Sequence, residues 1–323
     1  MRYAFVLNPA ARGGRARHAA GRLADLLRTH ALDATLDVTA APGDARRLAA
    51  ERGRHADAVV AVGGDGTVHE VASGLVGSGS AAALGLLPLG TGNDFAKMVR
   101  MPRGLDAAFA ALLAARVAPA DYGTVRWREA GRGAAGGHAA PGARGDGAGE
   151  DAAEHEAPFF NAVGIGFDAR VAAEAPRFKR VGGTAAYLAA ALSVLRAWRA
   201  PHARVVLDGR MLLDGPLLLA TAANGVSSGG GFYLTPDARI DDGLLDVCVI
   251  CDVPVRRVLT LLPLALAGRH ARARPVAMAR GAALTLDATA PVAIHADGEV
   301  LTRAAVYVTA RVMPGALRVL MAR

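Results

Sequence analysis

The sequence has few aromatic residues, only two cysteines and no long apolar run. Aromatic residues make up 5% of its 323 residues and form no interleaved basic-aromatic segment, which argues against a nucleic-acid-binding surface. The longest apolar run, from Val258 to Ala267, is shorter than the roughly 18 residues that span a bilayer. The N-terminal run ends at Leu7, whereas an export signal has an apolar segment of about 7–15 residues. We therefore expect a cytoplasmic protein with no nucleic-acid partner.

Both cysteines lie in Cys248-Val249-Ile250-Cys251, a spacing that also occurs in redox and zinc half-sites. No second Cys or His pair accompanies them in the sequence. The segment reads as a strand, in which residues three apart point to opposite faces. We therefore expect two reduced, buried structural thiols.

A Walker-type phosphate loop, Gly-x4-Gly-Lys-Ser/Thr, is absent as well. The sequence Gly164-Ile165-Gly166-Phe167-Asp168-Ala169 superficially resembles a dinucleotide-binding loop. The residues after it, through Pro176, make a poor long helix, and no acidic residue ends a second strand about 20 residues on. Neither of these nucleotide-binding loops is therefore expected.

The chain is basic, with a formal net charge of +8 and a sequence pI near 10.3. This balance favours anionic partners, such as a nucleotide or acidic lipid headgroups. The alternative is a compositional bias of arginines scattered over a solvated surface. With 52% hydrophobic residues, the chain is long enough for two folded domains.

The stretch that begins at Val59 organises the first half of the chain. Its apolar run ends at Val62 in Gly63-Gly64-Asp65-Gly66, which predicts a buried strand, a sharp turn and a helix capped by Thr67. Bare amides at a helix N-terminus bind anions, so phosphate is the expected ligand. The Asp65 carboxylate would repel phosphate unless a metal cation lies between them. An ordinary tight turn is the alternative.

A second glycine loop, Pro88-Leu89-Gly90-Thr91-Gly92-Asn93-Asp94, follows a predicted strand from Ala83 to Leu87. Predicted strands and helices alternate from Arg2 to this loop, which is typical of a parallel sheet flanked by helices. Ligands bind beyond the carboxyl ends of such strands. Both glycine loops are therefore expected on one rim of the sheet.

The residue pattern of the chain changes after Tyr122. Short strand-like segments separated by turn residues fill 123–310, which predicts a β-rich antiparallel domain interrupted by a helix from Thr184 to about Arg199. Residues 129–156 contain almost no large apolar side chain, so we expect a disordered insert there. The predicted domains are 1–122 and 123–310, and a return of the tail, 311–323, to the first domain is left open.

These motifs resemble those of the diacylglycerol kinase catalytic-domain family, which includes sphingosine and ceramide kinases, soluble bacterial diacylglycerol kinases and phosphatidylglycerol-type lipid kinases. The Gly-Gly-Asp-Gly core also resembles that of NAD kinases and phosphofructokinases. The resemblance implies an α/β N-terminal domain with a Rossmann-like, three-layer parallel sheet of the NAD kinase and phosphofructokinase type. It implies a β-rich antiparallel sandwich for the C-terminal domain.

The resemblance also implies roles for particular residues. Asp65, Asp94 and Glu299 would be catalytic, with Glu299, in Asp297-Gly298-Glu299, as the proton acceptor. ATP would be bound by Asn8, Thr39, Gly63, Gly64, Asp65, Gly66, Thr67, Gly90, Thr91, Gly92 and Asn93. A structural Mg²⁺ would be held by the Asp242 side chain and the carbonyls of Arg239 and Leu244. The alternative there is an Asp-Asp-Gly hairpin turn without metal.

Two positions depart from the family's pattern. His69 stands where the family commonly has asparagine, and a histidine there either donates one hydrogen bond in the site or packs as an ordinary helix residue. Arg12 lies in a first loop where the family usually has a small residue followed by glycine, so its place is open.

The implied reaction is Mg²⁺-dependent transfer of the γ-phosphoryl group of ATP to the hydroxyl of diacylglycerol or a related lipid, in the cleft between the domains. Such an enzyme must reach its lipid substrate, so we expect peripheral association with the inner face of the membrane. Candidate contact segments are Tyr187 to Trp198 and Val255 to Arg274, with burial in the core as the alternative. An NAD kinase-like soluble kinase and a catalytically silent lipid-binding protein of the same fold remain open. So do the identity of the lipid and a homodimer.

Overall fold

The first half of the protein is a parallel sheet covered by helices. A computed structural model describes residues 1–11, 13–14, 16–130, 153–178, 183–229 and 231–322. The first four strands are β1 (Tyr3–Leu7), β2 (Ala34–Val38), β3 (Ala58–Gly63) and β4 (Ala83–Pro88); the helices among and after them are α1 (Arg17–Thr29), α2 (Asp44–Arg52), α3 (Asp65–Gly77), α4 (Asp94–Met98) and α5 (Leu105–Leu113). The strands pair in parallel in the order β2-β1-β3-β4. Because both faces are covered, β3 and β4 are buried along their whole length and are apolar throughout.

The second half is an antiparallel assembly. Its strands are β5 (Arg116–Glu129), β6 (Glu154–Phe159), β7 (Ala162–Gly166), β8 (His202–Leu207), β9 (Arg210–Ala223), β10 (Leu245–Cys251), β11 (Val276–Gly281), β12 (Ala283–Ala296) and β13 (Glu299–Met321); its helices are α6 (Phe167–Glu174), α7 (Gly183–Arg196) and α8 (Val255–Leu266). The long strands β9 and β12 each pair with β7 over one half and with β8 over the other. The antiparallel strands therefore enclose a common apolar core.

Strand β13 connects the two halves. It runs for 23 residues and pairs antiparallel with β12 and with β5. Near its end, Val319 lies opposite Leu84 of β4 in parallel register. The sheet is therefore continuous from β2 to β11, and the end of β13 lies beside β4.

The described residues form three apolar clusters. The first packs α-helices on the parallel sheet and includes Phe5 and Phe109. The second lies inside the antiparallel half, around Ile165. The third packs α6, α7 and α8 on the outer face of β9 and β10, around Leu218 and Val258. A cleft lined by the turns after β3 and β4 and by parts of α6 and α7 opens between the halves.

Several element boundaries differ from the predicted ones. Helix α3 begins at Asp65, with Gly64 as its N-cap residue, because an acidic residue in the first turn interacts favourably with the helix dipole. Thr67 is therefore inside the helix. The predicted helix from Thr184 to Arg199 is α7, which ends at Arg196. Cys248 is buried as predicted, but Cys251 is only half-buried because it lies at the end of β10.

The predicted insert is wrong at its ends. Glu129 is the last residue of β5, and Glu154 to Glu156 form the first part of β6, paired with β5. Polar residues suffice there because one partner strand supplies the backbone hydrogen bonds. The rest of the predicted insert, 131–152, lies outside the described residues, as does Arg12.

None of the helices in the described ranges is long and apolar enough to cross a bilayer.

Candidate active site

A cleft of about 1040 Å³ separates the two halves. Its floor and one wall are the turns after β3 and β4. The opposite wall consists of residues 160–161, parts of α6 and α7, and the turn between β12 and β13. The cleft is therefore lined by both predicted glycine loops and by the Asp297-Gly298-Glu299 turn.

The first glycine loop presents the N-terminus of α3 to the cleft. Gly64, Asp65, Gly66 and Thr67 line it. Asn8 donates from its side-chain amide to the Thr67 hydroxyl at 3.1 Å. Asn8, which follows β1, and the first glycine loop therefore meet at the end of the sheet, where an anion would face the dipole of α3.

The second glycine loop closes on itself and touches the first. The Asn93 side chain accepts from the Gly90 amide and donates to the Gly90 carbonyl, both at 3.0 Å. A Cβ atom on Gly90 would lie 2.5 Å from the Gly64 Cα, so the two loops pack backbone against backbone. Only glycine permits this approach.

Asp65 links the two loops through its carboxylate. Its Oδ1 accepts from the Asp94 amide at 2.6 Å and from the Phe95 amide at 3.4 Å, at the start of α4. Burial, and then the negative charge of Asp94, raise the pKa of Asp65, while the amide hydrogen bonds oppose this shift. Asp65 and Asp94 thus form a pair of carboxylates that repel one another at the end of the cleft lined by the two glycine loops.

Asp94 is held by two residues that the sequence reasoning missed. Lys97 Nζ and the Ser227 hydroxyl each lie 2.6 Å from its Oδ1, and Lys97 also donates to Ser227 at 2.9 Å. The spacing of Lys97, three residues after Asp94 in a helix, was a usable signal. Ser227 is 133 residues away in the sequence, so no local pattern indicated it.

The turn before Glu299 is built around Asp297. This residue has a φ of 51° and the following Gly298 a φ of 90°, which makes a tight left-handed turn between β12 and β13. Asp297 accepts hydrogen bonds from His69 Nδ1 at 2.8 Å and from the amides of residues 160, 161 and 162 at 2.8, 2.8 and 2.9 Å. Burial acts to raise the pKa of Asp297, but these hydrogen bonds and the charge of His69 lower it overall. Asp297 is thus a buried carboxylate that holds the turn.

Glu299 follows two residues later and is exposed along the cleft. The sequence motif predicted a role for Glu299 but none for Asp297.

The remaining predicted ATP-binding residues divide into two groups. Thr91 and Gly92 line the cleft directly. Gly63 and Asn93 are buried behind it and shape the loops, and the backbone of Thr39 hydrogen-bonds to Leu7 on the same rim. The structure therefore gathers the predicted set at one end of the sheet, although not every member faces the cavity.

At the turn predicted to bind magnesium, the guanidinium group of Arg280 already contacts the Asp242 carboxylate. The Asp242 carboxylate accepts from the Leu244 amide at 3.1 Å and contacts the Arg280 guanidinium, while the Arg239 side chain pairs with Asp241. Arg280 is placed there by strand register, because it lies opposite Asp246 in the β10–β11 ladder.

The buried Asp121 also holds this turn, because its carboxylate accepts hydrogen bonds from the amides of Gly243 and Gly315, both at 2.7 Å. Among the residues that the structure describes, no cluster of three His, Cys, Asp or Glu side chains could bind a metal. The Asp242 carboxylate is thus neutralised by Arg280, and a Mg²⁺ held by Asp242 and the carbonyls of Arg239 and Leu244 stays a prediction.

A second, apolar cavity of about 70 Å³ adjoins the cleft beneath α7 and α8. Tyr187, Ser228 and Gly229 line both spaces. Burial, and then the charges of Asp168, Asp94 and Asp65, raise the pKa of Tyr187, which keeps its hydroxyl protonated. The two spaces therefore meet at a neutral tyrosine.

Comparisons with known proteins agree with this architecture. Residues 2–125 match the diacylglycerol kinase catalytic domain, and residues 161–321 match the YegS C-terminal NAD kinase beta sandwich-like domain. A protein of Pseudomonas aeruginosa named "Probable lipid kinase YegS-like" is 34% identical over 284 residues, covering 87% of this chain and 82% of that protein.

A relative of the same name from Klebsiella pneumoniae is 33% identical over 223 residues, which span 68% of this chain and 65% of that protein. A solved structure of a diacylglycerol kinase from Bacillus anthracis str. Sterne shares the fold, with a TM-score of 0.71 at 20% identity over 99% of this chain and 96% of that one. The predicted fold class is confirmed. The chain belongs to the family of lipid kinases that join a diacylglycerol kinase catalytic domain to a YegS-type C-terminal domain.

Proposed function

We propose that this protein transfers the γ-phosphoryl group of ATP to the hydroxyl group of diacylglycerol or a related lipid, with Glu299 as general base. The observation that carries the proposal is the cleft itself, which joins two glycine loops to an exposed glutamate and adjoins an apolar cavity. The lipid oxygen bonds to the γ-phosphorus as the bond to the β–γ bridging oxygen breaks. ADP leaves, and the hydroxyl proton passes to the Glu299 carboxylate.

The donor half of the site binds phosphate through backbone. The start of α3 and the loop from Gly90 to Gly92 line the same end of the cleft. Phosphates there gain from the helix dipole as well as from the N–H groups. Asn8 and Thr39 lie at the ends of the neighbouring strands β1 and β2, where the nucleoside part of ATP would be held.

Asp65 and Asp94 are the residues that would hold Mg²⁺ with ATP. Burial, and then the charge of Asp94, raise the pKa of Asp65, and a divalent cation near both carboxylates would remove the repulsion that Lys97 only partly offsets at Asp94. When bound, the ion would neutralise charge on the transferred group. Asp65 has a second task that needs no metal, since it keeps the two loops together by its bond to α4.

The acceptor half would bind the lipid. The apolar cavity beneath α7 and α8 suits the first part of an acyl chain, and Tyr187 stands where that chain would enter the cleft. Glu299 lies in the opposite wall from the glycine loops, where a hydroxyl could lie between it and the γ-phosphate. A general base in this position contributes about 10²–10⁴-fold to the rate.

Helix α8 is the better of the two candidate membrane segments. Val255, Leu259 and Leu264 are exposed on it, and Arg256 and Arg257 are exposed beside them. Exposed apolar side chains interspersed with arginines suit a bilayer with anionic lipid. By contrast, Tyr187 to Trp198 contributes mainly to the third apolar cluster, which favours a structural role for α7.

The catalytic proposal is tested with purified protein, labelled ATP and vesicles of diacylglycerol in anionic phosphatidylglycerol. Glu299→Gln should lower kcat about 10²–10⁴-fold. Glu51→Gln, on the exposed surface of α2, is the matched control and should leave kcat unchanged. Wild-type activity in folded Glu299→Gln would refute the role of Glu299, and phosphorylation of NAD in place of lipid would refute the acceptor.

Membrane contact is tested separately by flotation with the same vesicles. Leu259→Glu should lower the bound fraction, whereas Met211→Glu, an equally exposed apolar position on β9, should not. Equal flotation of the two variants would exclude α8 as the contact.

A further inference from the structure

His69 crosses the cleft between the two halves of the protein. It belongs to α3, on the wall that carries the phosphate-binding loops, and its Nδ1 lies 2.8 Å from Oδ2 of Asp297 on the opposite wall. Both side chains are almost completely buried, with 6% of each exposed. The imidazole also packs edge-on against Phe160, with ring centroids 5.6 Å apart. The position of His69 is therefore fixed by two contacts from the other half.

The other donors to Asp297 come from its own side of the cleft. They are the three amides of residues 160–162, which follow β6 and lead into β7. These amides shape the turn, but they cannot set its distance from α3. His69 supplies that constraint, because the hydrogen bond spans 228 residues of sequence and connects the two walls.

We propose that His69 is a positioning residue that acts through Asp297 to hold Glu299 opposite the phosphate-binding loops. The inference rests on the proposed function, since it assigns His69 a task in the same reaction. Glu299 lies two residues after Asp297 in a tight left-handed turn, so a shift of Asp297 moves Glu299 with it. Misplacement by about 1 Å is enough to lower a rate about 10²-fold.

The charge of His69 strengthens this constraint. Three charged groups act on the imidazole: Asp297, Glu299 and Arg46. Burial acts to lower the pKa of His69, but the hydrogen bond and charge of Asp297, followed by the charge of Glu299, raise it above 6.5 despite Arg46. An imidazolium–carboxylate hydrogen bond is roughly twice as strong as a neutral one. The constraint is therefore strongest below pH 6.5 and weakens as the pH rises through the elevated pKa.

Two substitutions separate the hydrogen bond from the charge. Asparagine, the residue that the family commonly has here, keeps an N–H donor but cannot titrate. Leucine removes the donor and retains an apolar side chain against Phe160. His55→Asn and His55→Leu are matched controls, because His55 is exposed after α2 and lies outside the cleft lining.

The experiment measures kcat and KM for ATP across roughly pH 6–9, the range in which histidine titrates. His69→Leu should lower kcat about 10²-fold with little change in KM for ATP, because the phosphate loops are untouched. His69→Asn should recover most of the lost kcat. It should also remove the decline in kcat on the alkaline side that we expect of the wild type, while the His55 variants should retain it.

Three results would overturn the inference. One is a wild-type kcat in folded His69→Leu, and another is an unchanged alkaline decline in His69→Asn. The third is a loss in His69→Leu that resides in KM for ATP, which would place His69 in nucleotide binding. If His69→Leu does not fold, as judged by urea unfolding, the pH profile of His69→Asn still decides. Wild-type protein that phosphorylates no lipid at any pH would refute the proposed function itself, and this inference with it.

Discussion

Replacing Gly90 by alanine tests whether the contact between the two glycine loops sets the geometry of the site. An ideal Cβ on Gly90 would lie 2.5 Å from the Gly64 Cα and 2.8 Å from Asn93 Oδ1. Ordinary van der Waals contact begins at 3.4 Å, and a backbone Cα cannot rotate away as a side chain can. The loops must therefore separate by about 1 Å, enough to lower catalysis about 10²-fold.

The same change should have a moderate effect on stability. Overpacking of this kind destabilises by about 1–3 kcal/mol, which leaves a protein of this size folded. The strain also lies on the Asp65 bond to the Asp94 amide, at 2.6 Å the shortest link between the loops. Both kcat and ATP affinity should therefore fall, because the phosphate groups and the two carboxylates would no longer be held in the same relative position.

The assay combines lipid phosphorylation kinetics with urea unfolding. Gly77→Ala is the matched control, because it adds the same methyl group at the end of α3 with nothing within 4 Å. Alanine there should be neutral or stabilise by up to about 1 kcal/mol. A Gly90→Ala protein with wild-type kcat and KM would refute the reasoning, as it would mean that the loops adjust without moving the reacting groups.

Three further predictions concern the second half of the protein. Asp121→Ala removes the acceptor of two partly buried hydrogen bonds, from the amides of Gly243 and Gly315, each contributing about 0.5–1.5 kcal/mol. Urea unfolding should therefore show a loss of stability that is absent in the exposed Asp106→Ala, and equal stabilities would contradict this. Without nucleotide, Mg²⁺ should not raise the Tm of the wild type. Arg280→Leu frees the Asp242 carboxylate, so Mg²⁺ should raise the Tm of that variant. A Mg²⁺-dependent rise in the Tm of the wild type would show that the turn binds a metal. Ala191→Phe fills part of the apolar cavity and should shift the preference for the lipid acceptor towards shorter acyl chains. Each methylene group displaced from the cavity should cost about 0.8 kcal/mol of binding free energy. An unchanged preference would mean that the cavity does not bind the lipid.

Local patterns predicted the parallel half of the fold well. The apolar runs in β3 and β4 are buried on both faces, and the glycine breaks after them lie at one rim, because parallel strands end together. Helix starts were less accurate. Thr67 looked like a cap, but Gly64 is the N-cap residue of α3, because Asp65 in the first helical turn interacts favourably with the helix dipole.

The antiparallel half was predicted in class but not in pairing. Alternating short segments indicate strands, whereas partners depend on contacts between distant residues. Strand β13 illustrates this: its sequence gives no sign that it pairs with β12, β5 and β4 in turn. The same limit applied to 154–156, whose polar residues read as part of an insert and form a strand only because β5 lies beside them.

The sequence by itself predicted which residues would carry the chemistry, because each glycine loop with its aspartate, and the Asp-Gly-Glu turn, is a local motif. The tertiary structure alone decided how those residues are held. Asp65 joins two loops, Arg280 sits on the Asp242 carboxylate, and His69 reaches Asp297 across the cleft. Each of these contacts joins residues between 29 and 228 positions apart, and such distances are set by the packing of sheets and helices rather than by any spacing in the chain.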